Sequence, residues 1–377
     1  MPAPEIPNLK SLLASRRGGQ QRGRGRGILT SGAKHESSDA DKDRAVQNTD
    51  QDAATSRLSC IELGYLEDPF AKAFATQPTI RRLPLLNRGT YVRTTAIDIL
   101  VDKFLSTSPT ELKQIVSLGA GTDTRYYRIL SKYPSIKVIY HEFDFPSNTA
   151  TKIATIQKTP SLLAQIRQSL LDPSDLKISV DKTFLTSPFY NIHAIDLRTF
   201  STSPAPTIPN LSATTPTLLL SECCLIYLQP ADASAILFSF LTTLIPAPTP
   251  VAVVLYEPIR PHDAFGRTME ANLASRNIHL HTLKKYGSLT RQRIRLKSAG
   301  FEHGFKAADT GFIWQKWIAE EEKERVAALE MLDEFEELEL LLTHYCVAWG
   351  WRDRGEEALF GKAWAEVQEQ ERDDEVG

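Results

Sequence analysis

Four cysteines in 377 residues is a small number, and their placement excludes two chemistries. Cys60, Cys223, Cys224 and Cys346 lie far apart or side by side, which makes neither a C-x-x-C metal site nor a disulfide framework. No uninterrupted apolar run reaches the ~18 residues of a membrane-spanning helix. No basic segment leads into an apolar one, so no secretory leader is expected. An excess of either charge is missing too. The 44 Lys and Arg nearly balance the 46 Asp and Glu, for a net charge of −2, which gives no whole-chain attraction to nucleic acid. These absences suit a reducing compartment, cytoplasm or nucleus. GxxxxGK[ST] does not occur, and the one prominent glycine turn lacks the third glycine of GxGxxG, which disfavours a nicotinamide-dependent oxidoreductase.

What is present is a 42% hydrophobic content, enough to fill a sizeable core. Residues 1–54 stand apart as a polar, basic tail that is expected to be disordered. The Gly18 to Gly27 stretch, similar to arginine-glycine tracts that bind RNA, is read as a solvated and disordered segment, because it has no apolar surface to bury. Residues 55–352 carry the folded domain, and the acidic residues 353–377 form an exposed, partly helical ending.

Within the domain, strand-like and helix-like segments alternate, the pattern of a doubly wound α/β sheet. Short apolar runs over 114–118, 138–143, 190–195, 217–221 and 251–256 each stop at Gly, Asp or Glu. Ligands on such sheets bind at the carboxyl ends of the strands. Residues 200–217, rich in Pro, Ser and Thr, read as a surface loop. Glu320 to Leu342 has helical apolar spacing on one face, and His344 to Trp351 reads as a closing strand.

The strand ends describe a candidate site. Gly119 and Gly121 follow the first run, where glycine lets main-chain N–H groups turn toward a ligand. Asp144 follows the second run at about the offset, roughly 20 residues, at which an acid reaches ribose hydroxyls. Glu142 is its competitor, but Phe143 and Phe145 flank Asp144 as a strand ending and Pro146 turns the chain. Asp196 and Leu197, after the third run, offer a carboxylate and an N–H for an adenine edge. Glu222, after the fourth, would lie under the amino-acid part of such a cofactor.

With these blocks in place, the chain resembles the leucine carboxyl methyltransferase family over roughly residues 56–352. The likeness rests on Gly64-Tyr65 with Asp68-Pro69, Asn87 to Arg93, Leu118 to Thr124, Glu142 to Pro146, Asp196-Leu197-Arg198, Ser221-Glu222-Cys223 with Tyr227, Tyr256-Glu257, Phe265-Gly266 with Met269, and His344-Tyr345-Cys346. The resemblance implies the seven-stranded sheet of class I S-adenosylmethionine-dependent methyltransferases, its last strand antiparallel, with an added helical lid. It implies S-adenosylmethionine as cofactor, S-adenosylhomocysteine as product and no metal. Cofactor-binding positions fall on Arg57, Arg93, Gly119, Asp144, Asp196, Leu197 and Glu222. Arg57 stands where the family commonly has lysine, which keeps the charge but not the geometry. The implied substrate is the C-terminal leucine carboxylate of the type 2A protein phosphatase catalytic subunit, whose tail is the expected partner of a monomeric enzyme. A related methyltransferase acting on a tRNA nucleoside or small metabolite, and an inactive phosphatase-binding protein, are the alternatives.

Such a reaction needs no general base, because a C-terminal carboxyl with a pKa of about 3.5 is already ionised at neutral pH. None of the eight histidines is therefore assigned to catalysis, and His344 is read as a core residue. Arg93 and Tyr227 are the candidates for the catalytic side. The Arg93 guanidinium has the planar donors to bridge the carboxylates of cofactor and substrate. Tyr227, with Tyr256, lines the tunnel or packs in the core.

Overall fold

The apolar runs form strands because each is buried on both sides. In the computed structural model all six residues of β1 (Lys113–Leu118) and all eight of β7 (Val251–Pro258) are buried. The structure describes residues 38–75, 80–202, 204, 206–355 and 358–371. Between β1 and β7 lie β2 (Val138–Asp144), the two-residue strands β3 (Lys177–Ile178) and β4 (Leu185–Thr186), β5 (Tyr190–Ala194) and β6 (Thr217–Glu222). After β7 come β8 (Gly304–Asp309) and β9 (Tyr345–Arg352).

The sheet order is β3-β4-β5-β2-β1-β6-β7-β9-β8. Seven strands, the number the resemblance implies, form its body, and the β3–β4 hairpin extends one edge. β1 pairs in parallel with both β2 and β6. Strand order reverses between β1 and β6, which opens a crevice at their carboxyl ends. β9 runs antiparallel to both neighbours, β7 and β8. Side chains alternate between two helix-covered faces: Leu218 and Leu220 enter one core, Leu219 the other.

Four helices position the site: α1 (Asp39–Gln47), α2 (Thr49–Glu62), α3 (Pro84–Ser106) and α4 (Arg125–Lys132). α3 begins with proline at its first turn, where a missing N–H is harmless, and buries Tyr91, Val92, Ile97, Leu100 and Phe104 against the sheet. No helix among the described residues is long and apolar enough to cross a membrane.

Four expectations differ from the structure. Residues 1–37 lie outside the described residues, but 39–54 form α1 and the start of α2 rather than a disordered tail. α1 buries no residue and is fastened by polar contacts: Ser38 caps it, Gln47 accepts from the Ser147 hydroxyl at 2.8 Å, and Asp43 pairs with Arg198 at 2.7 Å. A composition reading counts apolar burial and misses such contacts. The helix expected over Glu320 to Leu342 is two helices, Glu320–Leu329 and Phe335–Thr343. The chain extends at Glu330 so that this buried carboxylate can accept from Arg81, Asn87 and Tyr65. The C-terminal segment is not simply exposed, because Phe360 and Trp364 are buried and Phe360 stacks on Phe104 at 4.9 Å. Finally, β8 has no counterpart among the expected strands: its sequence, GFKAAD, lacks β-branched residues.

Candidate active site

At the end of β1 the chain turns through Gly119 (φ +65°) and Gly121 (φ +45°), left-handed values that suit glycine. Space makes the same demand. A Cβ on Gly119 would lie 2.6 Å from Cys224 Sγ, and one on Gly121 would collide with the Asp50 carboxylate.

Asp144, the last residue of β2, fastens this turn. Its Oδ2 accepts the Gly121 N–H at 2.7 Å; its Oδ1 accepts from the Phe145 N–H at 2.7 Å and the Asn148 amide at 2.9 Å. Burial pushes the Asp144 carboxyl above its ordinary value, with the backbone hydrogen bonds opposing. Glu142, its competitor in the sequence, is buried within the sheet and pairs with Lys152 at 2.6 Å, out of the cleft.

Asp196 caps the short 3-10 helix Leu197–Ser201 by accepting the Arg198 N–H at 2.9 Å. Arg198 also grips the Asp196 carboxylate and reaches Asp43 on α1. Burial works against ionisation of Asp196, yet the Arg198 hydrogen bonds hold its carboxyl below the ordinary range. Leu197 opens that 3-10 helix, where an N–H has no intrahelical partner.

Glu222 ends β6 between two arginines. Oε2 accepts from Arg93 Nε at 3.1 Å, and Oε1 lies 2.8 Å from an Arg125 terminal nitrogen. Burial alone would raise the Glu222 carboxyl, but Arg125 and Arg93 together bring it below its ordinary value. The Arg93 guanidinium also sits 4.8 Å over the Tyr256 ring, which stacks on Tyr345 at 5.4 Å. Arg57, on α2, pairs at 3.4 Å with the buried Asp68, which also accepts the Thr124 hydroxyl. Tyr227 stands on the turn after β6, and burial pushes its phenol well up.

All eight expected residues, Arg57, Arg93, Gly119, Asp144, Asp196, Leu197, Glu222 and Tyr227, line one cleft of ≈ 640 Å³. The α1–α2 pair forms one wall, and Leu341, Leu342 and Tyr345 contribute to another. His344 stays out of the lining: it is buried, with one ring nitrogen 2.6 Å from the Leu340 carbonyl and the other 2.8 Å from Asp263. A sequence profile described as Leucine carboxyl methyltransferase matches residues 45–241, and that match runs through the glycine turn, Asp144, Asp196 and Glu222. The chain belongs to the leucine carboxyl methyltransferase family.

Curated relatives carry the likeness over nearly the whole length. A protein of Emericella nidulans named Leucine carboxyl methyltransferase 1 is 54% identical, covering 93% of this chain and 95% of its own. One of the same name from Aspergillus fumigatus is 49% identical over 99% of this chain and 100% of its own. One from Schizosaccharomyces pombe is 39% identical over 80% and 93%. The chain is thus a methyltransferase. The family's cofactor, S-adenosylmethionine, suits the residues present: a glycine turn at a strand switch point, a buried strand-end carboxylate with backbone donors beside it, and an arginine–glutamate pair for a zwitterionic end.

Several residues in the lining or behind it were not legible in the sequence. Asp50 lies in the stretch that composition assigned to a tail, yet its Oδ1 accepts both the N–H and the hydroxyl of Thr122. Asp123 belongs to the glycine turn and was passed over beside Asp144. Arg125 sits behind the wall and has no motif of its own. Tyr345 was visible in the closing strand and in the block His344-Tyr345-Cys346, but not as a lining residue.

Proposed function

We propose that the chain transfers a methyl group from S-adenosylmethionine to the α-carboxyl group of the C-terminal leucine of the type 2A protein phosphatase catalytic subunit, forming a leucine methyl ester. The observation that carries this reading is the Arg93–Glu222 pair, 3.1 Å apart, set beside a tyrosine-lined stretch of the same cleft that holds the Asp144-fastened turn. Arg93 spends only its Nε on Glu222. Its two terminal nitrogens make no hydrogen bond among the described residues, which leaves planar donors for a carboxylate.

In this reading Asp144 takes the ribose hydroxyls, while Gly119 lets the backbone approach. Asp196 and the Leu197 N–H take the adenine edge. Arg57 and Arg93 face the carboxylate of the amino-acid end, and Glu222 its ammonium group. When bound, the cofactor would supply a sulfonium-activated methyl carbon to an acceptor carboxylate oxygen. Arg93 orients that acceptor, and Tyr227, Tyr256 and Tyr345 exclude water around it. Charge disappears as the new bond forms, so tight ion pairing of the acceptor would stabilise reactants as much as it helps. Positioning, which supplies roughly 7–11 kcal/mol in favourable cases, is the main contribution asked of the protein. With the phosphatase as partner, the compartment is the cytoplasm, extending to the nucleus.

The test is incubation of the full chain with methyl-labelled cofactor and purified phosphatase, with and without its last leucine. Base-labile label that requires the leucine supports the reading. Base-stable label would mean that nitrogen or carbon had been methylated.

A further inference from the structure

Arg125 is almost fully buried, at 1% side-chain exposure, and it does not line the cleft. It is the first residue of α4, immediately after the glycine turn, and its guanidinium runs back beneath the strand ends. Three of its nitrogens meet three carboxylates on three different elements. Nε lies 3.2 Å from Asp98 on α3, one terminal nitrogen 2.5 Å from Asp123 in the turn, and the other 2.8 Å from Glu222 at the end of β6. Asp98 is held from its far side by Arg128. α3 also carries Arg93, which takes the other oxygen of Glu222.

We propose that Arg125 is a positioning residue: it fixes Glu222 and Asp123, from behind the wall, in the arrangement that receives the zwitterionic end of the cofactor. The proposal rests on the reading of the cleft given above. Its three carboxylate partners come from three separate elements, and two of them, Asp123 and Glu222, line the cleft. Lysine cannot replace it, because a point charge does not span three acceptors that a planar fork reaches together.

The charges facing Glu222 show what Arg125 does. From α3 comes Arg93, from α2 Arg57, from the turn Asp123, from β7 the Tyr256 phenol, from β2 Tyr140, and beside it Cys223, while Asp98 faces Arg125 itself. Burial favours a neutral Glu222, and Asp123 repels its charge. Arg125 leads the opposing influences, ahead of Arg93 and Arg57. Without Arg125, Glu222 and Asp123 would confront each other as like charges in the cleft wall, and the balance at Glu222 would move toward its protonated form. A neutral Glu222 no longer attracts an ammonium group.

The experiment is calorimetric titration of S-adenosylhomocysteine into the full-length protein from about pH 6 to about pH 9, for wild type, Arg125→Met, Arg125→Lys, Glu222→Gln and the double variant Arg125→Met/Glu222→Gln. Wild-type affinity should be flat with pH. Arg125→Met should bind about tenfold more weakly than wild type near pH 6 and should recover toward pH 9, a tenfold loss being about 1.4 kcal/mol. Arg125→Lys should show the same trend in smaller measure, which covers the case in which the methionine variant does not fold. Glu222→Gln should be weak and flat, and the double variant should match it. A pH-flat, wild-type affinity in Arg125→Lys, or a methionine variant that loses thermal stability while its affinity stays flat with pH, would overturn the proposal and leave Arg125 a structural residue. No binding by the wild type would instead overturn the reading of the cleft itself.

Discussion

The Asp50 carboxylate accepts the main-chain N–H of Thr122 at 2.7 Å and its hydroxyl at 2.8 Å, so the N-terminal helix pair completes the glycine turn of the distant β1. Burial raises the Asp50 carboxyl, a cost that the two Thr122 hydrogen bonds oppose. The helices that close over the cleft are therefore pinned to the segment that would hold the cofactor.

Asp50→Ala should accordingly weaken cofactor binding by about tenfold, since hydrogen bonds to a charged group contribute ~1.5–3 kcal/mol. A variant beginning at residue 55 should lose at least as much, because it also removes the Asp43–Arg198 and Asp52–Arg276 pairs. Calorimetric titration with S-adenosylhomocysteine measures both. Wild-type affinity in the shortened protein would show that α1 and α2 are dispensable to the site.

Asp144→Ala should lower cofactor affinity more than Asp144→Asn. The alanine removes acceptors for Gly121, Phe145 and Asn148 as well as for a ribose, at ~1.5–3 kcal/mol for each charge-assisted bond. The asparagine keeps one oxygen. Equal losses in the two variants would argue that the turn does not depend on these bonds.

Arg93→Lys should reduce turnover by about 100-fold, the scale of loss that accompanies a misplaced reacting group. The lysine keeps a positive charge near Glu222 but has no fork to share between Glu222 and a second carboxylate. Single-turnover rates with the phosphatase tail test this, and a rate near wild type would remove Arg93 from its role.

Stability should fall as the solution is acidified through the histidine range. His141 Nδ1 and His193 Nε2 lie 3.0 Å apart in the buried sheet, and both rings are held neutral. Burial, with the neighbouring ring, pulls His141 well below its ordinary value, and burial brings His193 from 6.5 to about 4. The unfolded chain therefore binds more protons than the folded one between these limits. The stability held above about pH 6.5 declines as pH falls toward about 4, by ~1.4 kcal/mol per pH unit for each imidazole. Thermal unfolding at neutral pH and near pH 5 measures the slope, which His193→Phe should make shallower.

Much of the fold and site was readable because the informative residues sit where strands stop. Gly119, Asp144, Asp196 and Glu222 each follow an apolar run, and a parallel sheet gathers the ends of its strands by construction. Arg57 and Arg93 came instead from family likeness, since nothing in the spacing of a helix announces which of its arginines faces a cleft. Asp50 and Arg125 were illegible for different reasons. Asp50 lies among polar residues whose helix is held by ion pairs, and Arg125 acts only through three carboxylates far from it in the chain. The extension at Glu330 was hidden because apolar spacing continues on both sides of the break.

The position of β9 has a consequence for the newly made chain. This strand is the last of the nine to be synthesised, yet it lies inside the sheet, between β7 and β8. Until it emerges from the ribosome, β7 has an open edge and β8 has no neighbour, because β8 pairs with β9 alone. β9 also delivers Tyr345 to the cleft, stacked on Tyr256. A nascent chain can thus assemble the glycine turn and the Asp144 clasp early, but it cannot finish the chamber wall. A chain that has not yet reached β9 therefore lacks one wall of the cleft, and its site is unfinished.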